Sequence, residues 1–255
     1  MSFPLHQQTG DPRPGEFRDL PKCDAILAAI MVFRRWRSRK KANEDLGLEL
    51  AAGDRHYRAF VGPPQKYDIV AAMQFNLLTS VGLREHHTLL DIGCGSLRAG
   101  RLLIPFLLTG HYFGLEPNGW LVDQGVKREI GRDLLRIKQP VFDHNGEFKL
   151  TVFGCQFDYL LAQSIFSHAA PRQIERCLSE ASKVMHSKSI FLATYVSGQE
   201  NYDGREWVYP QSVRYTEERM LQFASEAGLR ATPQAWQHPN DQRWLMITHP
   251  EQVYS

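Results

Sequence analysis

The sequence has no apolar run approaching the roughly 20 residues that a membrane-spanning helix needs. A transmembrane topology is therefore not expected. Cysteine is scarce as well: Cys23, Cys94, Cys155 and Cys177 are scattered along 255 residues, and no two share a C-x-x-C spacing. That excludes a zinc ribbon and a disulfide framework, and leaves a reduced chain with no metal as the expectation. A dominant charge sign is also missing, because 30 basic residues face 28 acidic ones. So balanced a chain lacks the basic field of a dedicated nucleic-acid binder, and no nucleic-acid partner is expected. The opening residues, MSFPLHQQTGDPRPGEF, contain no apolar signal-peptide block, so residence in the cytoplasm is the default. No solenoid-type repeat occurs.

What is present begins with a polar, proline-rich stretch, residues 1–21, read as a flexible tail. Residues 22–65 are expected to form a helical extension, in which AILAAIMVF follows a capping aspartate at position 24 and precedes the basic run RRWRSRKK. Basic residues suit a helix C-terminus, and an apolar block beside a basic one also suits an anionic membrane surface. Both readings stay open for residues 25–41: a helix packed on the main domain, or a peripheral membrane contact. Residues 66–255 read as the main domain. A helix over positions 66–80 places Ile69, Val70, Met73, Leu77 and Leu78 toward the core. Short apolar strand runs then alternate with helices: TLLDIG, HYFGLEP, PVFDHN, FDYLLAQS and SIFLATYV, separated by helical stretches. Alternation of this kind predicts a doubly wound, Rossmann-like α/β sheet, mostly parallel. The last two strand runs, LRATPQAW and RWLMITH, are joined by the short QHPND and predict an antiparallel hairpin at the sheet edge, for seven strands in all.

The stretch LLDIGCGSLRAG, residues 89–100, is a strand entering a glycine turn and then a helix. Such a turn sits at the carboxyl ends of parallel strands, where α/β sheets bind ligands. Gly93 and Gly95 permit the tight turn and a close ligand approach. The dinucleotide fingerprint needs a third glycine three residues after the second, but position 98 is arginine and the next glycine is Gly100. Asp91, just before the turn, would repel a pyrophosphate and suits the ammonium of an amino-acid moiety. Glu116 follows one βα unit later, the place of an acid that binds a ribose diol. Together these favour S-adenosylmethionine over NAD.

On LLDIGCG, YFGLEPN, FDYLLAQSIFSH and the terminal hairpin, residues 67–249 resemble the class I S-adenosylmethionine-dependent methyltransferase family. SLRAGR after the turn, together with the lead-in HYRAFVGPPQKYD, resembles a subgroup with a GCGSLRxGR-type motif. The resemblance implies that Gly93, Cys94, Gly95 and Ser96 wrap the methionine end of the cofactor, and that Glu116, with Pro117 and Asn118, holds the ribose. It implies that the loop after the third strand, with Asn145 and Glu147 or else Asp143, contacts adenine. RWLMITH would be the family's reversed edge strand. Arg98 reads either as a clamp on the methionine carboxylate or as a helix-surface charge facing a neighbouring carboxylate. Tyr57, Arg58 and Tyr67 read as part of a lid or as packing.

Methyl transfer is an in-line displacement, for which positioning supplies about 7–11 kcal/mol and a general base about 3–5. The candidate base is His168, just past the fourth strand, which alternatively caps the following helix or packs beneath the site. Gln163 and Ser164 in the same loop are candidates for orienting cofactor or substrate. Tyr195, Tyr202, Trp207 and Tyr209 follow the fifth strand and are expected to contact an acceptor, a small molecule or glycan hydroxyl. Oxygen is preferred to nitrogen because AQSI stands where an NPPY-type sequence would be. The alternatives are an NAD-dependent oxidoreductase and a non-catalytic S-adenosylmethionine-binding partner of another enzyme.

Overall fold

A computed structural model of the chain describes residues 31, 32 and 45–250. The expected tail, and the apolar and basic blocks of residues 25–41 apart from Met31 and Val32, lie outside the described residues. Two compact units divide between Glu49 and Leu50. In the first, Met31, Val32, Asp45 and Leu46 are helical.

The second unit is built on seven strands: β1 (Leu89–Ile92), β2 (Tyr112–Leu115), β3 (Val141–Asp143), β4 (Phe157–Ala162), β5 (Met185–Tyr195), β6 (Arg230–Gln234) and β7 (Arg243–Thr248). Their order across the sheet is β3-β2-β1-β4-β5-β7-β6. The first five pair in parallel, whereas β7 runs antiparallel to both β5 and β6. The seven-stranded α/β fold with a C-terminal hairpin is as the sequence pattern predicts. One detail differs. The reversed strand, β7, lies one position in from the edge, and β6 is the edge itself. The reason is compositional: Trp244, Leu245 and Ile247 of β7 are buried, while β6 carries Pro233, which cannot donate to a ladder on both sides.

Among the described residues of this unit, six α-helices cover the two faces: α1 (Tyr67–Ser80), α2 (Gly100–Phe106), α3 (Gly119–Gly125), α4 (Gly131–Lys138), α5 (Pro171–Val184) and α6 (Glu217–Glu226). A π-turn, Val126–Ile130, joins α3 to α4. Local chemistry sets several ends. Proline occupies the first position of α5, where the Gln173 side chain accepts from the Ala170 N–H, and Thr216 caps α6 by accepting from the Arg219 N–H. All four residues of β1 are buried, as a central parallel strand requires, with Leu90 and Ile92 in one apolar cluster and Leu89 in the other. In α1 the buried stripe runs through Tyr67, Val70, Ala71, Gln74 and Leu78. Ile69, expected in the core, is instead 58% exposed, because it lies about 100° round the helix from Val70. Among the described residues no helix is long and apolar enough to cross a membrane. No group of three or more His, Cys, Asp or Glu is arranged there to hold a metal ion.

Candidate active site

The carboxyl ends of β1, β2, β3 and β4 open into a cavity of about 380 Å³. A smaller one, about 20 Å³, lies beside Asp91, Cys94 and Arg98. That is room for one small polar group. The turn after β1 makes both walls. Gly93 and Gly95 have φ of +74° and +55°, the left-handed region that favours glycine. A β-carbon on Gly93 would stand 2.1 Å from Cδ1 of Ile165, so besides the strained backbone a side chain there would have to push the tip of Ile165 aside.

The turn's N–H groups are already engaged. Those of Gly93 and Cys94 donate to the Leu115 carbonyl at 2.7 and 3.1 Å, and that of Gly95 donates to Oε2 of Glu116 at 3.1 Å. None of these three is left for a pyrophosphate, which disfavours a dinucleotide on geometry as the displaced glycine does on sequence.

Glu116 has only part of its capacity free. Oε1 accepts from the backbone N–H and side-chain amide of Asn118, both at 2.9 Å, and burial raises its carboxyl above the usual range. A carboxylate has about four acceptor positions, so a diol engages Glu116 fully only if the Asn118 amide swings out. Asp91 accepts from the Tyr112 hydroxyl at 2.7 Å, and burial pushes its pKa up to about 6. A cation in the smaller cavity would lower it again.

Arg98 crosses between both cavities. Its Nη1 donates to the Val61 carbonyl at 2.6 Å, its Nη2 donates to Oε1 of Gln163, and its buried Nε has no partner. Neither acceptor is a carboxylate. Ser96 faces neither cavity; its carbonyl and hydroxyl engage the Tyr67 hydroxyl at 3.1 and 3.2 Å. Tyr67 in turn lies under the Arg58 guanidinium, 4.4 Å from the ring centroid, and Arg58 and Arg101 both pair with Asp68 and Glu129. Tyr57, Arg58 and Tyr67 thus pack beside the site. The lining residues of that segment are Phe60 and Val61.

At the far wall, Asn145 reaches the cavity with Gly146 and Phe148. Glu147 does not: its carboxylate is exposed and pairs with Arg176 at 2.8 Å, because the Asn145 side chain accepts from the N–H groups of residues 147 and 149 and turns the loop outward. Asp143 accepts from the Asn145 N–H and amide, as an Asx-type brace.

The loop after β4 brings Gln163, Ser164, Ile165 and His168 to the cavity. Ser164 holds φ +63°, an unfavourable conformation for a non-glycine residue, stabilised by a ring of bonds. Its N–H donates to Thr194 Oγ1 at 2.7 Å, Thr194 donates to Gln242 at 2.6 Å, and Gln242 donates back to Ser164 Oγ at 2.8 Å. His168 lines the cavity with Nδ1 facing the carbonyls of Gln211 (2.7 Å) and Val208 (3.1 Å). Two acceptors at Nδ1 place the proton there and leave Nε2 as the lone-pair nitrogen. Burial lowers the pKa of the ring against the opposing effect of the two carbonyls, so it is neutral at pH 7.

Of the aromatic residues expected at an acceptor, Trp207 and Tyr209 line the cavity and sit 5.7 and 4.9 Å from the His168 ring. The Tyr209 hydroxyl donates to the Phe60 carbonyl. Tyr195 and Tyr202 do not reach it. Strand alternation turns Tyr195 into the core, and the Tyr202 hydroxyl closes its own loop on the Glu206 carbonyl at 3.3 Å. Phe60, Val61, Leu121, Phe148 and Ile165 complete the wall and were not singled out from sequence, since apolar loop residues carry no pattern of their own.

No family model matches the sequence. The fold is similar to that of magnesium protoporphyrin IX methyltransferase from Synechocystis PCC 6803, solved with bound SAH, at 13% identity over 72% of this chain and 86% of that one, TM-score 0.53. It is similar also to an S-adenosylmethionine-dependent methyltransferase from Clostridium acetobutylicum ATCC 824, at 11% identity over 77% and 96% of the two chains, TM-score 0.54. The CcbJ methyltransferase from Streptomyces caelestis shows 13% identity over 74% of this chain and 97% of its own, TM-score 0.54.

Proposed function

We propose that this chain is an S-adenosylmethionine-dependent methyltransferase acting on a hydroxyl oxygen of a small molecule or glycan. The observation that carries the reading is that Glu116 and His168 line one cavity, the histidine with its Nδ1 turned to two backbone carbonyls and its Nε2 left without them. The site fits the cofactor on its own chemistry. Glu116 suits a ribose diol, Asn145, Gly146 and Phe148 offer an adenine wall, and the orphaned Nε of Arg98 beside Asp91 suits a group bearing both a carboxylate and an ammonium. When bound, that group supplies an electrophilic sulfonium methyl.

The chain's own residues do the rest. Phe60, Trp207 and Tyr209 exclude water and orient the acceptor, and His168 takes the hydroxyl proton at Nε2. Its Nδ1–H stays on the Gln211 and Val208 carbonyls, which stabilise the imidazolium that forms. The test is transfer of radiolabelled methyl groups by the purified chain to a panel of hydroxylated small molecules and oligosaccharides, with melting temperature followed under S-adenosylhomocysteine and under NAD. Stabilisation by NAD alone would overturn the cofactor. Stabilisation by S-adenosylhomocysteine without transfer to any acceptor would leave the non-catalytic binding role.

A further inference from the structure

Gln163 stands at the centre of a hydrogen-bond chain that has one donor too many. Its Oε1 accepts from Arg98, and its Nε2 lies 3.0 Å from Nε2 of His238, in the loop joining β6 to β7. The other ring nitrogen of His238, Nδ1, accepts from the Asn240 N–H at 3.0 Å. His238 is 7% exposed and packs 5.9 Å from the Trp244 ring. Burial, with Arg98 and Lys66 nearby, pulls its pKa down to about 4, so it is neutral at pH 7.

A neutral imidazole has one N–H and one lone-pair nitrogen. Because Nδ1 receives the Asn240 N–H, the proton sits on Nε2 and points at Gln163. Arg98 and His238 therefore both present a donor to one amide, which has a single oxygen. Whichever way Gln163 turns, one contact sets donor against donor. Arg98 carries a second deficit in its buried, unpartnered Nε, and no carboxylate pairs with its guanidinium among the described residues.

We infer that His238 is a positioning residue: its Nε2–H draws the Gln163 oxygen away from Arg98 and so frees the guanidinium for a carboxylate entering beside Asp91. This rests on the reading of the site as one for S-adenosylmethionine. With a carboxylate on Arg98, Gln163 gives its oxygen to His238 and its NH₂ to the incoming group, and each donor has an acceptor. Without the His238 N–H, Gln163 keeps Arg98 occupied and the carboxylate must displace it.

The experiment has two arms. Nitrogen-15 NMR of the imidazoles, with His238→Gln for assignment, reads the tautomer in the free protein, and calorimetry compares S-adenosylhomocysteine with 5′-methylthioadenosine, which lacks the carboxylate. Expected are an Nε2–H tautomer, about tenfold weaker S-adenosylhomocysteine binding in His238→Phe, recovery in His238→Gln, which restores a donor, and no change for 5′-methylthioadenosine in either. An Nδ1–H tautomer, or equal losses for the two ligands, overturns the role of His238. Binding of neither ligand by the wild-type chain overturns the cofactor reading instead, and the tautomer alone then decides whether His238 competes for Gln163.

Discussion

Replacing His168 with phenylalanine keeps the ring's volume among Trp207 and Tyr209 and removes both nitrogens. If Nε2 accepts the acceptor's proton, the loss is that of a general base, about 10²–10⁴-fold in kcat, or about 3–5 kcal/mol of barrier. The variant retains measurable turnover, because positioning by the remaining walls supplies the larger share. A structural cost accompanies it: the Gln211 and Val208 carbonyls lose their shared donor, which destabilises the fold by about 1–3 kcal/mol and is read separately by urea unfolding. The pH profile separates base from brace. Burial lowers the His168 pKa below its ordinary value of 6.5, so the wild-type rate holds through neutrality and falls on the acid side as the ring gains its proton. The same sign applies to stability, which this histidine supports above its unfolded pKa and which is lost as pH falls through the folded one. In His168→Phe the acid limb of kcat due to this group vanishes, while affinity for S-adenosylhomocysteine is unchanged. A loss under about tenfold, or an acid limb that persists in the variant, would refute the assignment.

Two further outcomes are expected at Glu116 and Gly93. Glu116→Ala removes the acceptor for Gly95 and Asn118 and for an incoming diol, and calorimetry should find S-adenosylhomocysteine weakened by about 10–150-fold, the equivalent of one charge-assisted hydrogen bond; unchanged affinity with a native melting curve contradicts the role. Gly93→Ala places a β-carbon 2.1 Å from Ile165 at a positive φ, so unfolding should show about 1–3 kcal/mol of destabilisation, partly relieved when Ile165→Ala is added. A Gly93→Ala chain as stable as the parent would mean that the turn is not held in its observed conformation.

Much of the frame was legible because its causes are local. Buried parallel strands read as short apolar runs, β1 above all, and the turn at residues 93–96 announces itself through glycines that the backbone needs. Asp91, Arg98, Glu116 and His168 could be expected at the cavities they line because each stands at a fixed offset from such a strand end. Tyr195 and Tyr202 went astray for the converse reason: nearness in sequence to the end of β5 does not say on which side of the chain a ring projects. Glu147 missed the cavity through its pairing with Arg176, a partner 29 residues away.

By itself, the sequence determined the α/β class, the strand that ends at the glycine turn and the acids that flank it, since periodicity and turn chemistry act over a few residues. Tertiary structure alone decided which side chains share the cavity. Phe60 and Val61 enter the wall because Tyr209 and Arg98, 149 and 37 residues away, hold their carbonyls. His238 meets Gln163 across 75 residues because the reversed strand β7 packs beside β5 and brings its leading loop to the end of β4. Contacts of that reach depend on how strands stack and loops close, and no local pattern encodes them.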